Sequence, residues 1–254
     1  MIDEVKEEIL PGGNASALVV RVGETVRKPW FEGAAGVLEY MRILLQRGVD
    51  LPEPLGRDAQ GRMVTQFVAG ALVSECPPLS HTQLAKVGAM VRAIHDASEG
   101  LEAAALGLRP ALIPVSAPDL VCHGDLAPWN LIVGERWTFI DWDGTAASTR
   151  LWDLAYAAQA FTLNDASAEP EEAAAALRAF LEGYRPDAGI RSALATTLAQ
   201  RTWAMYEMLS DAHRDGVEPW ATMFVEGHGE HWHRIAEFVA QRTDLWSSVI
   251  RLTA

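Results

Sequence analysis

The stretch that most limits what this chain can become runs from Val121 to Asp143. It reads Val121-Cys122-His123-Gly124-Asp125-Leu126-Ala127-Pro128-Trp129-Asn130, then Leu131-Ile132-Val133, a polar break Gly134-Glu135-Arg136, and Trp137-Thr138-Phe139-Ile140-Asp141-Trp142-Asp143. Two apolar runs around a short glycine-bearing break predict a β-hairpin. A hairpin brings its ends together, with neighbouring strands about 5 Å apart. Asn130 enters the first strand and Asp141 closes the second, so both oxygen ligands are expected at one end, with Asp125 in the loop just before them. A carboxylate, a carboxamide and a second carboxylate converging in a loop suit Mg²⁺, a hard cation that takes oxygen ligands and keeps some water.

Kinases use this layout. An Asp in a His-x-Asp-x-x-x-x-Asn loop accepts the proton of the attacking hydroxyl, while the Asn and a later Asp hold the Mg²⁺ that bridges the ATP phosphates. His123-x-Asp125 and Asp125-x-x-x-x-Asn130 keep that register, and Ile140-Asp141-Trp142 stands where Asp-Phe-Gly would. The wording His-Gly-Asp-Leu-x-Pro-x-Asn, then Phe-Ile-Asp-Trp-Asp, resembles the aminoglycoside phosphotransferase and choline kinase superfamily rather than protein kinases.

The resemblance implies an α+β, bilobal protein-kinase-like fold, with a small antiparallel-sheet N-terminal lobe and a larger, mainly helical C-terminal lobe. It implies ATP, with GTP as the second option, and Mg²⁺ as cofactors, and a small-molecule hydroxyl compound as acceptor. Asp125 takes the place of the base, and Asn130 and Asp141 those of the metal ligands. The bland alternative is a buried hairpin with surface carboxylates, which needs several polar positions to coincide with the hairpin by chance.

Upstream, Glu4 to Leu10 is expected to form a short opening helix, broken by Pro11-Gly12-Gly13-Asn14-Ala15-Ser16. Ala17 to Val22, a Gly23-Glu24 turn and Thr25 to Lys28 then read as strand, tight turn, strand. Gly12 and Gly13 would let backbone N–H groups approach phosphate oxygens, though most such loops are simple turns. No Walker-type loop and no Gly-x-Gly-x-x-Gly occurs, which argues against P-loop and Rossmann readings. Val26 and Lys28 share one strand face, because side chains alternate. Kinases set a Lys against the α- and β-phosphates from such a face, so Lys28 is the phosphate-binding choice, and Arg27 the competitor if the register slips by one.

Val37, Leu38, Met41, Leu44 and Leu45 recur at helical spacing between Gly33 and Arg47, and Gly48 supplies the stop. In a kinase this helix carries the acid that orients the Lys, which makes Glu39 the candidate and Glu32 the alternative. Strands are expected over Pro52 to Arg57 and Arg62 to Phe67. Phe67 and Val68 fall where a kinase hinge crosses between lobes and would meet adenine through their backbone. The expected boundaries are 1–68 for the nucleotide-binding lobe, 69–79 for the hinge, and 80–254 for the helical lobe with catalytic loop and acceptor site.

Ser80 is a good N-cap for a helix to about Ala97, with Leu84, Val87, Val91 and Ile94 buried. His95-Asp96 near its end reads as a local hydrogen-bonded pair. Pro110 to Pro118 and Gly144 to Arg150 read as loops, and Asp153 opens a helix, where it reads as structural, bracing the catalytic loop. The remainder reads as helical, with segments after Pro170, from Ala188 to His213, after Pro219, and from Glu230 to Arg242. Trp203, Tyr206 and Glu207 share a helix face, where an aromatic surface with a carboxylate could hold an amine. An ordinary core stripe with a polar edge is the competing reading. Asp143 shares a strand face with Asp141 and could join the metal shell or meet a cationic substrate.

A formal charge of −13 argues against a nucleic-acid partner and favours approach of a cationic small molecule. With only Cys76 and Cys122, no disulfide framework is implied. Apolar runs are too short to span a bilayer, so the expectation is a cytoplasmic enzyme without a membrane partner. Two rivals remain. One is a catalytically silent nucleotide-binding module, which the joint presence of Asp125, Asn130 and Asp141 opposes. The other is a metal hydrolase built on His228-x-x-His231-x-His233, whose histidines do not all share one helix face.

Overall fold

In the computed structural model, which describes residues 7–10 and 19–253, the N-terminal strands form a five-stranded antiparallel sheet. Its members are β1 (Glu7–Ile9), β2 (Val20–Val22), β3 (Thr25–Lys28), β4 (Pro54–Arg57) and β5 (Met63–Gln66), in the order β1-β2-β3-β5-β4. The expected opening helix is corrected to a strand at Glu7–Ile9, which pairs with β2 and is tied to the sheet by an ion pair from Glu7 to Arg62. So short a segment gains too few helical bonds to repay nucleation, whereas a sheet edge offers ready partners. The two-residue turn from β2 to β3 places Gly23 at φ 60°, which a tight hairpin needs and which costs glycine little. The glycine loop with Gly12 and Gly13 lies outside the described residues.

Helix α1 (Ala34–Gln46) buries Val37, Leu38, Tyr40, Met41 and Leu44, as its spacing predicts. The Tyr40 hydroxyl lies 2.7 Å from Ser98 Oγ and donates to the Val121 carbonyl at 3.1 Å. Residues of α1 therefore share one core with the helical lobe. Each fully buried Leu or Met in that core contributes about 1.5–3 kcal/mol by leaving water.

Phe67 to Gly70 leads from β5 to β6 (Ala71–Leu72), which the sequence showed only as hinge. Helix α2 (His81–Ala97) begins at Ser80 with the expected cap: Ser80 Oγ accepts from Gln83 N–H, and Gln83 Oε1 accepts from Ser80 N–H. After the short α3 (Ala103–Leu106), β7 (Leu120–Cys122) leads to the hairpin of β8 (Leu131–Val133) and β9 (Trp137–Phe139). β6 pairs with β8, and β7 pairs with β10 (Ala146–Ser148), a strand where a loop was expected. Ala146-Ala147-Ser148 carries no alternation to announce it, and its partner β7 makes it a strand.

The helical lobe continues with α4 (Arg150–Thr162), α5 (Pro170–Tyr184), α6 (Ala188–Asp215), α7 (Trp220–Met223), α8 (Gly229–Ala240) and α9 (Thr243–Ile250). α3 and α9 were not anticipated. Helices α2 and α5 approach closely through glycine: a Cβ on Gly183 would stand 1.8 Å from the Ala85 carbonyl oxygen, and one on Gly88 1.9 Å from that of Phe180. The N-terminal sheet over a mainly helical lobe is the kinase-like α+β architecture that the sequence implied. Among the described residues no helix is long and apolar enough to cross a membrane.

Candidate active site

The β8–β9 hairpin pairs Leu131 with Phe139 at its open end, and Ile140 N–H donates to the Asn130 carbonyl at 2.8 Å. Asn130 and Asp141 accordingly leave the ladder side by side. Asp141 adopts φ 59°, a left-handed conformation that Asp tolerates better than most residues and that commonly marks functional backbone.

Three groups lock the loop carrying Asp125 against this end. His123 is fully buried, accepts the Asp125 N–H at Nδ1 (3.2 Å), and donates from Nε2 to the Ile140 carbonyl (3.1 Å). One imidazole thus joins the loop to the strand that delivers Asp141. That pattern needs the neutral ring, and burial pushes the His123 pKa down, which favours it. Its ring packs 4.5 Å from that of Trp142, the residue standing in the Phe position of Asp-Phe-Gly. Gly124 sits at φ 84°, and a Cβ there would lie 2.6 Å from the Gly144 carbonyl oxygen. Gly124 N–H donates to Asp153 Oδ1 at 3.1 Å. The other Asp153 oxygen lies 3.0 Å from His95 Nε2, whose Nδ1 is 2.9 Å from the Tyr184 hydroxyl. Asp153 therefore braces the loop, as the sequence suggested. His95 and Asp96 do not pair with each other: Asp96 turns outward to Arg92 and Arg150, each at 2.7 Å.

Asp125 is held at both oxygens. Oδ1 accepts from the Tyr156 hydroxyl at 2.6 Å, and Oδ2 from Asn130 Nδ2 at 2.7 Å and from Trp129 Nε1 at 3.3 Å. Burial pushes its carboxyl above the ordinary range, against the Tyr156 hydrogen bond that holds it down. A carboxylate moved up in this way is a better proton acceptor near neutral pH. Asn130 spends its amide nitrogen on Asp125, and its amide oxygen makes no hydrogen bond with the described residues.

Lys28 reaches across from β3 to the same end. Its ammonium lies 2.9 Å from Asp141 Oδ1 and 2.5 Å from Asp143 Oδ1. Burial alone would raise the Asp141 carboxyl, but Lys28 outweighs it and holds the pKa below the usual value. Burial raises Asp143 despite Lys28, with the negative charge of Asp141 adding to the rise. Arg27 points away, to Asp58 at 3.4 Å, so the strand register brings Lys28 rather than Arg27 to Asp141. Glu39 does not orient Lys28: it is exposed and pairs with Arg42 at 3.0 Å, while Glu32 is exposed as well. Asp141 and Asp143 occupy the place that the sequence reading gave to an α1 acid. Phe67 and Val68 lie in the connection between lobes, Phe67 beneath the Arg21 guanidinium at 3.8 Å and Val68 buried.

The predicted acceptor residues separate. Tyr206 packs into an aromatic cluster beside the loop, with Tyr156, Trp232, Trp129, Trp220 and Phe224. Trp203 and Glu207 instead line an open groove of about 490 Å³ with Thr196, Gln200 and Thr243, which includes none of Asp125, Asn130 and Asp141. The aromatic side chains that border Asp125 are thus Trp129 and Tyr156, neither of which the sequence reading had singled out for the site. Tyr156 had a faint signal, three residues beyond Asp153 on one helix face.

The donor set fits a hard divalent cation. The side chains brought to this end, Asp125 with Asn130 and Asp141 with Asp143, offer oxygen donors, with no thiolate or imidazole among them. The histidines of the alternative metal site do not gather: His231 Nε2 lies 3.1 Å from Asn164 Oδ1, while the His233 ring packs against Tyr206 and Trp203. Among the described residues, the metal-ligating side chains that do gather are His95, Cys122 and Asp153, all buried in the network that braces the loop.

The fold is kinase-like, and one segment of the chain matches a phosphotransferase family. Residues 92–191 match the family described as "Phosphotransferase enzyme family". Comparison with curated protein sequences gives no match. Among solved structures, an amicoumacin kinase bound to AMP-PNP and Ca²⁺ is similar at 14% identity and TM-score 0.68, covering 92% of this chain and 88% of that one. A microcompartment-associated aminopropanol kinase is similar at 15% identity and TM-score 0.65, covering 95% and 93%. A spectinomycin phosphotransferase in complex with ADP and spectinomycin gives 14% identity and TM-score 0.63, covering 94% and 93%. The matched segment holds the catalytic-loop motif on which the sequence resemblance rests, and the solved structures share the fold.

Proposed function

We propose that this chain transfers the γ-phosphoryl group of ATP to a hydroxyl of a small molecule, with Asp125 as the base. The observation that carries this reading is the arrangement of Asp125. It is a half-buried carboxylate fixed by Tyr156, Asn130 and Trp129, in a loop tied through His123 to the strand end bearing Asp141. Such a carboxylate can orient an acceptor hydroxyl and take its proton as the oxygen attacks. Asn130 and Asp141 would hold Mg²⁺, with Asp143 close enough to join them. When bound, the ion supplies charge neutralisation of the phosphates. Lys28 provides a fixed positive charge at the same place. Gly12, Gly13 and the backbone of Phe67 and Val68 are assigned to the nucleotide, for which GTP is the alternative donor.

For the acceptor, the half-buried Trp129 beside Asp125 and the net charge of −13 favour a compact cationic alcohol. Trp203 and Glu207 would meet only an acceptor large enough to reach their separate groove. The test is nucleotide consumption with Mg²⁺ across amino alcohols, aminoglycosides, sugars and nucleosides, with mass detection of a product heavier by one phosphate. Phosphorylation of any of them that survives Asp125→Asn at the wild-type rate would remove Asp125 from the role of base.

A further inference from the structure

The end of the cleft is short of positive charge. Asp125, Asp141 and Asp143 bring their carboxylates to it, and the Lys28 ammonium is already shared between Asp141 and Asp143. A nucleoside triphosphate adds more negative charge than Mg²⁺ and one shared ammonium offset, so a site that binds it calls for a further cation. Arg201, on α6, covers the Tyr156 ring at 4.4 Å but is only 6% exposed, with Nε and Nη1 closed off from solvent. Arg109, in contrast, is exposed and sits beside the two metal-end carboxylates. Its Nη2 donates to the Asp143 carbonyl at 3.0 Å.

The chain seats Arg109 at this place. It lies three residues beyond α3, which packs against the first turn of α1: a Cβ on Gly36 would stand 2.0 Å from the Leu106 carbonyl oxygen. At Gly33, just before α1, a Cβ would stand 3.1 Å from Arg109 Cγ and 3.3 Å from its backbone nitrogen. With no side chain at either glycine, the Arg109 guanidinium comes to lie 4.5 Å from the centre of the Phe31 ring. Ring face and carbonyl together orient the guanidinium plane. They occupy one nitrogen, and Nε and Nη1 make no hydrogen bond with the described residues. A planar fork held in place with open donors matches a pair of phosphate oxygens.

We propose that Arg109 is a second phosphate-binding residue, which turns its open donors on the γ-phosphoryl group while Lys28 serves the phosphates behind it. The proposal rests on the reading of this chain as a nucleotide-dependent phosphotransferase and adds a residue to it. A guanidinium there offsets the charge spread over the oxygens of the phosphoryl group as it transfers. Because the contact is to the terminal phosphate, it separates a triphosphate from a diphosphate.

The experiment is titration calorimetry of the intact, acceptor-free chain with AMP-PNP and, separately, with ADP, both in excess Mg²⁺ at one salt concentration. Arg109→Gln should weaken AMP-PNP binding by roughly 10- to 100-fold, the loss of one charge-assisted contact, and leave ADP within about twofold of wild type. Arg109→Lys should keep part of the AMP-PNP affinity, since it retains the charge without the fork. Both variants should fold, because the side chain they change is exposed. An arginine that only latched α1 to the Asp143 segment would weaken the two nucleotides together. The proposal is overturned if both affinities fall by the same factor in Arg109→Gln, or if neither falls. Wild-type protein that binds neither nucleotide would overturn the nucleotide reading and this proposal with it. An unchanged ratio of AMP-PNP to ADP affinity in Arg109→Gln would remove Arg109 alone, so the two failures are distinguishable.

Discussion

Replacing Lys28 by Met keeps the length of the side chain and removes a charge that is poised between two carboxylates. The wild-type ammonium lies 2.9 Å from Asp141 and 2.5 Å from Asp143, with the Lys side chain 11% exposed and the two carboxylates 33% and 25%. At an effective dielectric constant of 20, each contact gives about 4 kcal/mol of attraction. Taking the ammonium out of water costs several kcal/mol, and partial exposure of the carboxylates screens what remains, so the net loss should be about 2–3 kcal/mol at pH 7. For a chain of this size that lowers Tm by roughly 5–10 °C.

The pH dependence separates this cause from lost packing. The Asp141 pKa is depressed in the folded protein, so its contribution is present above the unfolded carboxylate pKa and fades as pH falls through the folded one. Without Lys28, burial and mutual repulsion push these carboxyls upward, and one takes up a proton in mild acid. The deficit of Lys28→Met should therefore shrink between pH 7 and pH 4.5 in urea unfolding followed by tryptophan fluorescence. Mg²⁺ should also stabilise the variant more than the wild type, since Lys28 no longer competes for the two carboxylates. An equal deficit at both pH values, with Mg²⁺ acting alike on both proteins, would refute the electrostatic account.

Asp125→Asn should reduce phosphoryl transfer by about 10²–10⁴-fold while nucleotide binding, measured by calorimetry, stays near wild type, because only the proton acceptor is lost. Asp153→Ala removes the acceptor of the Gly124 N–H and the partner of the fully buried His95 Nε2; chemical denaturation should show a loss of about 1–3 kcal/mol, chiefly because the His95 nitrogen is left buried and unpaired. Gly183→Ala drives a methyl into the Ala85 carbonyl and should cost about 1–3 kcal/mol, read as a lower urea midpoint with an unchanged m-value. Glu39→Gln should leave stability and transfer within error of wild type, because Glu39 meets only the exposed Arg42.

Local chemistry in the sequence determined a good deal. Spacing alone put Asn130 and Asp141 at one end of a hairpin, because strand pairing dictates which residues become neighbours. The Ser80 cap, the buried face of α1 and the choice of Lys28 over Arg27 follow from short-range geometry of the same kind. What the tertiary structure decided were meetings between distant segments. No periodicity near residue 39 tells that Lys28 will find Asp141 and Asp143, 113 and 115 positions away, rather than Glu39. Tyr156 and Arg201 sit on separate helices, and each looks like an ordinary core or surface residue until α4 and α6 pack together. β10 is a strand only because β7 lies beside it. Contacts close in sequence are fixed by backbone periodicity. Contacts far apart depend on how whole elements pack, and the residues that finish this site come from contacts of the second kind.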